Sequence, residues 1–185
     1  MRDISNEVLE RVNQGDMAAF EEVYRAASGF VYNVALRITQ SGADAEEVTQ
    51  DVFMKVYRSL GNFGFRSSFK TWVYRITVNT AINRYRQSAK HQRGRVDHEG
   101  LIESVPAQGS SAEQAIRNDN EQQLDKLIGA LSEDHRACIV LREIEGLSYE
   151  EIAASLNIPV NTVRSRLKRA REALLQGAGK EAGRP

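Results

Sequence analysis

A single cysteine, Cys138, is all the thiol chemistry in 185 residues, so no disulfide can form within the chain. That scarcity fits a reducing compartment, and Cys138, placed inside a helical pattern, reads as a small buried apolar residue. No stretch approaches the roughly 18 apolar residues of a membrane span. The opening Met1-Arg2-Asp3-Ile4-Ser5 lacks the features of a signal peptide, so a cytoplasmic protein without membrane insertion is expected. His91, His98 and His135 do not join Cys138 in a metal-ligand cluster. Neither a Gly-x-Ser-x-Gly elbow, a phosphate-binding glycine loop nor a His-Glu-x-x-His pair occurs. Acid pairs such as Glu46-Glu47 and Glu150-Glu151 fall at helix starts, where the helix dipole favours them without catalysis. No enzyme, catalytic residue, metal or cofactor is expected.

Strand patterns and internal repeats are absent as well, which leaves an all-α chain. Its formal net charge is zero, but the charge is unevenly spread. Residues 1–65 hold 6 basic and 10 acidic side chains, and residues 66–95 hold 8 basic and none acidic. Residues 96–160 hold 4 basic and 13 acidic, and residues 161–185 hold 7 and 2. Two basic blocks in acidic surroundings point to two nucleic-acid-facing patches, because local fields rather than the total govern encounters.

The most informative stretch runs from Leu147 to Leu175. Ser148-Tyr149-Glu150-Glu151 has the spacing of a capping box, and Ile152, Ala153 and Leu156 give the following helix an apolar face. Asn157-Ile158-Pro159 ends it, and Asn161 is placed to cap a second helix. In that helix Val163, Leu167, Ala170 and Leu174 share one stripe at about 100° per residue. Ser165, Lys168 and Arg169 lie opposite, with Arg164, Arg166 and Arg171 on the flanks. Glu172 is the sole acid between 161 and 175, so a surface helix of internally paired charges is a poor description. A tight helix pair whose second member has a buried stripe and a basic face suits the DNA major groove. Asn161, Thr162, Arg164, Ser165, Arg166, Lys168 and Arg169 are the candidate contacts.

Earlier in the chain, Ile4, Val8 and Val12 predict a short helix over 4–14, and Gly15-Asp16 breaks and recaps it. Phe20, Val23, Tyr24, Ala27, Val31, Val34 and Ile38 predict a core-facing helix from Met17 to Thr39. Ser41 or Asp44 starts a third, running to Leu60, with Ala45, Val48, Val52, Val56 and Leu60 inward. Its other face gathers Glu47, Gln50, Asp51, Met54 and Arg58, either a wet surface or a docking face with an adaptable methionine.

The loop 61–68 holds Phe63, Phe65 and Arg66, its phenylalanines folded on the core or offered as stacking platforms. A fourth helix is expected from Phe69 to Arg86, with Tyr74, Val78, Ala81 and Tyr85 in the core. Trp72, Arg75, Asn79, Asn83 and Arg86 line another side. An aromatic, two amides and two arginines on one stripe, within a block free of acids, favour a second nucleic-acid face over a structural tryptophan beside solvated polar residues. Residues 87–114 lose periodicity and read as a linker, bounded at 89–114, between domains at 1–88 and 115–178, with a tail at 179–185. In the second domain Leu124, Leu127, Ile128 and Leu131 form a buried set; Ser132 caps a helix that carries Ala137, Val140, Leu141 and Ile144 inward and ends at Gly146.

Taken together these motifs resemble the extracytoplasmic-function sigma factors, of sigma-E type, within the bacterial sigma-70 family. Asp44-Ala45-Glu46-Glu47-Val48-Thr49-Gln50-Asp51-Val52-Phe53 resembles the family's core-polymerase-binding helix. Phe69-Lys70-Thr71-Trp72-Val73-Tyr74-Arg75-Ile76 with Val78-Asn79-Thr80-Ala81 resembles its −10 recognition helix. Leu147–Ala153 and Thr162-Val163-Arg164-Ser165-Arg166 resemble its −35 recognition motif. The resemblance implies an alternative sigma factor that binds core RNA polymerase and promoter DNA and is restrained by an anti-sigma factor. Gln50 and Asp51 would meet the clamp helices of the polymerase's largest subunit, and Trp72, Asn79, Asn83 and the Phe63–Ser68 loop would capture the melted −10 strand. Arg164, Ser165, Lys168 and Arg169 would read the −35 duplex, and the linker would thread toward the polymerase's active centre. One departure stands out: relatives commonly follow the loop phenylalanine with Arg-Gly-acid-Ser, whereas Phe63 precedes Gly64-Phe65-Arg66-Ser67. The alternative from the residues alone is a stand-alone helix-turn-helix regulator with a helical sensor domain.

Overall fold

In the computed structural model the described residues are 4–64, 67–93 and 123–182, with the side chains of 91–93 and 180–182 excepted. All regular structure among them is helical. Helix α1 spans Asn6–Asn13, capped by Ser5, whose Oγ accepts the Val8 N–H at 3.3 Å. Gly15, at φ +88°, makes the turn, and Asp16 Oδ1 accepts the Ala18 and Ala19 N–H groups at 2.9 and 3.1 Å to start α2, Met17–Thr39. Gln40 ends α2 in the left-handed conformation, and Ser41 caps α3, Gly42–Ser59, through the Asp44 N–H at 3.2 Å. A single tight turn, Leu60–Asn62, leads to the loop before α4, Phe69–Arg93.

Helices α2, α3 and α4 pack on one another and α1 lies against α2. Val23, Ala27 and Val31 of α2, Val48, Val52 and Val56 of α3, and Val78 and Ala81 of α4 fill the space between them. The second unit begins with α5 over 123–129 and continues with α6, Glu133–Ile139, which widens into a π-helical turn at Val140–Ile144. Gly146, at φ +72°, closes that end, where the Leu147 N–H reaches back to the Leu141 carbonyl at 3.0 Å. Helix α7, Tyr149–Leu156, and α8, Val160–Ala182, complete the unit around Ile128, Cys138, Leu141, Ile152, Val163, Leu167 and Ala170. The two units touch directly: α4 packs against α6 and α7, and α2 against α6.

Several sequence expectations change. Helix α4 continues past Arg86 to Arg93, because Gln87–Lys90 hold no helix breaker and the Ser88 hydroxyl donates to Asp44 Oδ2 at 3.1 Å. Helix α8 likewise continues beyond 178 to Ala182; Gly177 lies so near Leu127 that a Cβ there would be 2.9 Å from its Cδ2, so glycine permits the close pass. Asn161 does not cap α8, which starts at Val160, and the left-handed residue that ends α7 is Asn157. Tyr24 and Leu124, expected in the core, are exposed, whereas Leu9, absent from the expected core, is buried. Arg66 and most of the expected linker, with the helical pattern anticipated from Ala115, lie outside the described residues.

Candidate nucleic-acid interface

The first helix of the helix-turn-helix starts as its spacing predicts. Ser148 Oγ accepts the Glu151 N–H at 3.1 Å while Glu151 Oε2 accepts the Ser148 N–H at 2.8 Å, a complete capping box. Val163, Leu167 and Ala170 are fully buried, which turns Asn161, Arg164, Ser165, Lys168 and Arg169 to solvent and leaves Thr162 half-buried. Arg164 is steadied by a 3.0 Å bond to Asn161 Oδ1, and the Ser165 hydroxyl donates to the Thr162 carbonyl at 2.9 Å. Lys168 faces Glu172 at a loose 3.9 Å in the open, a pair worth little. The flanks behave differently. Arg166 is drawn against α6 by Asp134 at 2.8 Å, and Arg171 is clamped to Glu143 at 2.6 Å, so both tie α8 to its own unit.

The α4 stripe divides in two. Trp72 is only 8% exposed, so it does not stand beside Asn79 and Asn83 on a solvent-facing stripe as expected. Its ring lies 5.0 Å from Phe63 and 5.8 Å from Phe69, and Phe63 and Phe69 meet edge to face at 5.9 Å. Three aromatics pooled in this way bury more apolar surface than one indole left in water. Ser68 sets the geometry by capping α4, its Oγ accepting the Thr71 N–H at 3.1 Å. The cluster nonetheless has one open edge: Asn62, Phe63, Gly64, Ser67, Trp72 and Arg75 line a cavity of about 400 Å³. Trp72 and Arg75 thus line one pocket together.

Farther along α4, Asn79, Asn83 and Arg86 are exposed but not all unengaged. Asn79 Nδ2 donates to the Ser155 carbonyl of α7 at 3.3 Å. Arg86 reaches Glu133 Oε1 at 3.2 Å and Asp134 Oδ1 at 3.4 Å, both on α6. The Glu133 carboxyl is held below its usual range, first by its own backbone N–H at the helix start and then by Arg86.

On α3, Glu47, Gln50, Asp51, Met54 and Arg58 share the exposed side. Glu47 is paired with Arg84, which also holds Asp44 at 2.7 Å. Beside them runs an aromatic group that sequence reading missed: Tyr24 and Phe53 lie 4.6 Å apart, and Phe20 and Tyr57 5.0 Å apart. Tyr24, Met54 and Tyr57 remain about half exposed, at 45%, 50% and 47%. Grouped half-exposed apolar side chains of this kind mark a contact surface, and the signal for it was Met54 and Tyr57, three residues apart on α3 and outside its inward stripe.

Among the described residues no group of His, Cys, Asp and Glu could hold a metal, and no helix is long and apolar enough to cross a membrane. Burial pushes the Cys138 thiol up to about 11, so it is a poor nucleophile.

Sigma-70 region 2 matches residues 23–91, spanning most of α2, α3 and nearly all of α4, and sigma-70 region 4 matches residues 121–174. The chain is 40% identical over 175 residues to the ECF RNA polymerase sigma-E factor of Escherichia coli, covering 90% of each. It is 36% identical over 179 residues to RNA polymerase sigma-H factor of Pseudomonas aeruginosa, covering 91% of this chain and 90% of that one. Among solved structures it resembles the sigma factor RpoE bound to the anti-sigma factor NepR from Bartonella quintana, with a TM-score of 0.69 and 25% identity over 86% of this chain and 96% of that one. It also shares the fold of CnrH in complex with the cytosolic domain of CnrY, with a TM-score of 0.67 and 24% identity over 96% and 97% of the two chains. With both promoter-recognition regions matched and identity of this order over nine-tenths of its length, the chain belongs to the sigma-70 family, as an alternative sigma factor of the extracytoplasmic-function class.

Proposed function

We propose that each of the three surfaces performs one step of promoter-specific initiation in the cytoplasm. The α3 face, with Glu47, Gln50, Asp51, Met54 and Arg58, docks on core RNA polymerase; half-exposed Tyr24, Met54 and Tyr57 supply its apolar contact. The cavity walled by Phe63, Trp72 and Arg75 takes an unstacked base of the −10 strand, and Asn79, Asn83 and Arg86 follow that strand along α4. Extracting a base costs a few kcal/mol, which stacking on an aromatic wall offsets. Arg66, outside the described residues, adds a cation to the same loop. The exposed side of α8 enters the −35 major groove: Arg164, Lys168 and Arg169 supply charge and guanine contacts, while Asn161, Thr162 and Ser165 reach phosphates or base edges. Arg166 remains tied to Asp134 until a phosphate displaces that acid. Bond-making chemistry belongs to the polymerase, and this chain contributes recognition only. As with its Bartonella relative, a protein inhibitor restrains it.

The observation that carries this reading is the pairing of a bare basic recognition helix with an aromatic-walled cavity on a separate helix, which a duplex-binding repressor does not need. Run-off transcription with purified sigma-free core polymerase tests it. Promoter-dependent transcript only when the chain is added is the expected result. Tight duplex binding by the free chain, with no transcript and no core binding, would instead identify a stand-alone regulator.

A further inference from the structure

The basic side chains along α8, Arg164, Arg166, Lys168, Arg169 and Arg171, are not held alike. Arg166 and Arg171 are bound to carboxylates, Asp134 at 2.8 Å and Glu143 at 2.6 Å, so their charge is largely cancelled before any DNA arrives. Lys168 and Arg169 stand in solvent, and Lys168 faces Glu172 only loosely. Arg164 is the exception. Its Nη1 donates to a neutral oxygen, Asn161 Oδ1, at 3.0 Å on the exposed side of the helix. An amide oxygen fixes the direction of a guanidinium and leaves its full charge for the groove.

Asn161 has no other task in the fold. Asparagine is a poor residue for a helix interior and a good one for a cap. Here it caps nothing: α8 starts at Val160, and the Pro159 carbonyl takes the Thr162 and Val163 N–H groups at 2.9 and 3.2 Å. Among the described residues its side chain bonds to Arg164 alone. That partner also fixes the amide. A guanidinium only donates, so Oδ1 must face Arg164, and Nδ2 is left as a donor for a phosphate. Residues three apart share a face of a helix, so the bond keeps Arg164 on the outer side of the first turns. Those turns are the part of a recognition helix that meets base edges.

We infer that Asn161 is a positioning residue for −35 recognition: it holds the Arg164 guanidinium in one direction before DNA binds, so that the free side of the fork meets O6 and N7 of a guanine. The inference rests on the reading of α8 as the −35 helix. One N–H is engaged by Asn161, and the rest of the fork still includes the parallel pair that a guanine edge accepts. An arginine that is free in solution must be ordered on binding, and that loss of freedom lowers affinity several-fold. Holding Arg164 in advance avoids the loss where the waiting direction suits the base, and not at a mismatch. Asn161 therefore adds discrimination at the base pair that Arg164 reads and at no other.

Competition binding of promoter duplexes by the core polymerase complex of the full chain tests this, with each −35 position substituted in turn. Wild type, Asn161→Ala, Arg164→Ala and the double variant are compared. Asn161 is exposed and alanine is the better helix former, so Asn161→Ala should fold with an unmoved melting temperature. The position at which Arg164→Ala loses discrimination marks the base pair that Arg164 reads. At that position Asn161→Ala should lower discrimination about fivefold, with the other positions unchanged and no further effect once Arg164 is alanine. Discrimination unchanged in Asn161→Ala, even with all duplexes weakened equally, would overturn the positioning role and leave Asn161 at most a phosphate contact. The same loss with and without the arginine would overturn it too, since the two side chains would then act independently. Both results leave Arg164 as a −35 reader. No loss of discrimination at any position in Arg164→Ala would instead reject that reading of Arg164, and the positioning role with it.

Discussion

The two helices proposed to face DNA, α4 and α8, reach exposure by opposite routes. Helix α8 hides an unbroken apolar stripe, Val163, Leu167 and Ala170, and everything opposite that stripe is left to solvent. Its basic face is therefore a direct consequence of helical period. Helix α4 is enclosed on more than one side, by α2 and α3 within its own unit and by α6 and α7 of the other. What it can offer to a strand is determined by what those neighbours leave uncovered: a cavity at one end and a bonded stripe at the other. A rigid duplex suits the first design. An unpaired strand that must be pulled apart and held suits the second, because a walled pocket excludes water from the base it receives.

Substitutions can sharpen this contrast, and the largest effect belongs to the aromatic cluster. Trp72→Ala removes the shared member of the Phe63–Phe69–Trp72 group and should lower stability by about 3–5 kcal/mol, read as a shifted urea midpoint. A shift below about 1 kcal/mol would mean that the indole acts as an exposed platform after all. On α8 the expected damage is to specificity rather than stability. Arg169→Ala should cost about 1–3 kcal/mol of −35 discrimination in competition binding with the polymerase complex, with the melting temperature unmoved. Equal affinity for matched and mismatched −35 duplexes in the wild type would remove that role.

A smaller effect is expected from Ser148→Ala, which breaks the capping box at the start of α7 and should cost about 1 kcal/mol of stability. The smallest is Glu172→Gln: the 3.9 Å pair with Lys168 is exposed, so less than about 0.5 kcal/mol of stability should be lost. A large loss there would contradict the picture of a face kept free for phosphate.

These differences also explain what could be read in advance. The α8 face was legible because period, capping box and charge all depend on residues within one short stretch. Trp72 was placed on the right helix but given the wrong surroundings, since the partners that bury it, Phe63 and Phe69, join it through a loop whose path no periodicity encodes. Tyr24 misled for a related reason: its stripe position was inward by period, but it lies at the rim, where Phe53 of α3 packs on its ring and still leaves it 45% exposed. Arg136 was invisible. Nothing in Glu133–Ile139 says that a central arginine will be buried against a carbonyl of α2, because the carbonyl belongs to the other unit. The helix ends failed more mildly: α4 and α8 ran on wherever neither proline nor a left-handed residue stopped them.

Permanganate footprinting of a promoter with core polymerase and this chain tests the division of labour between the two helices most directly. Reactive thymines should appear across the −10 region only when the chain is present. They should be lost with Asn83→Ala at full polymerase occupancy and restored for Arg169→Ala once the complex is raised to saturation. Melting that is indifferent to Asn83, or that stays lost for Arg169→Ala at saturation, would contradict the assignment of strand capture to α4 and duplex reading to α8.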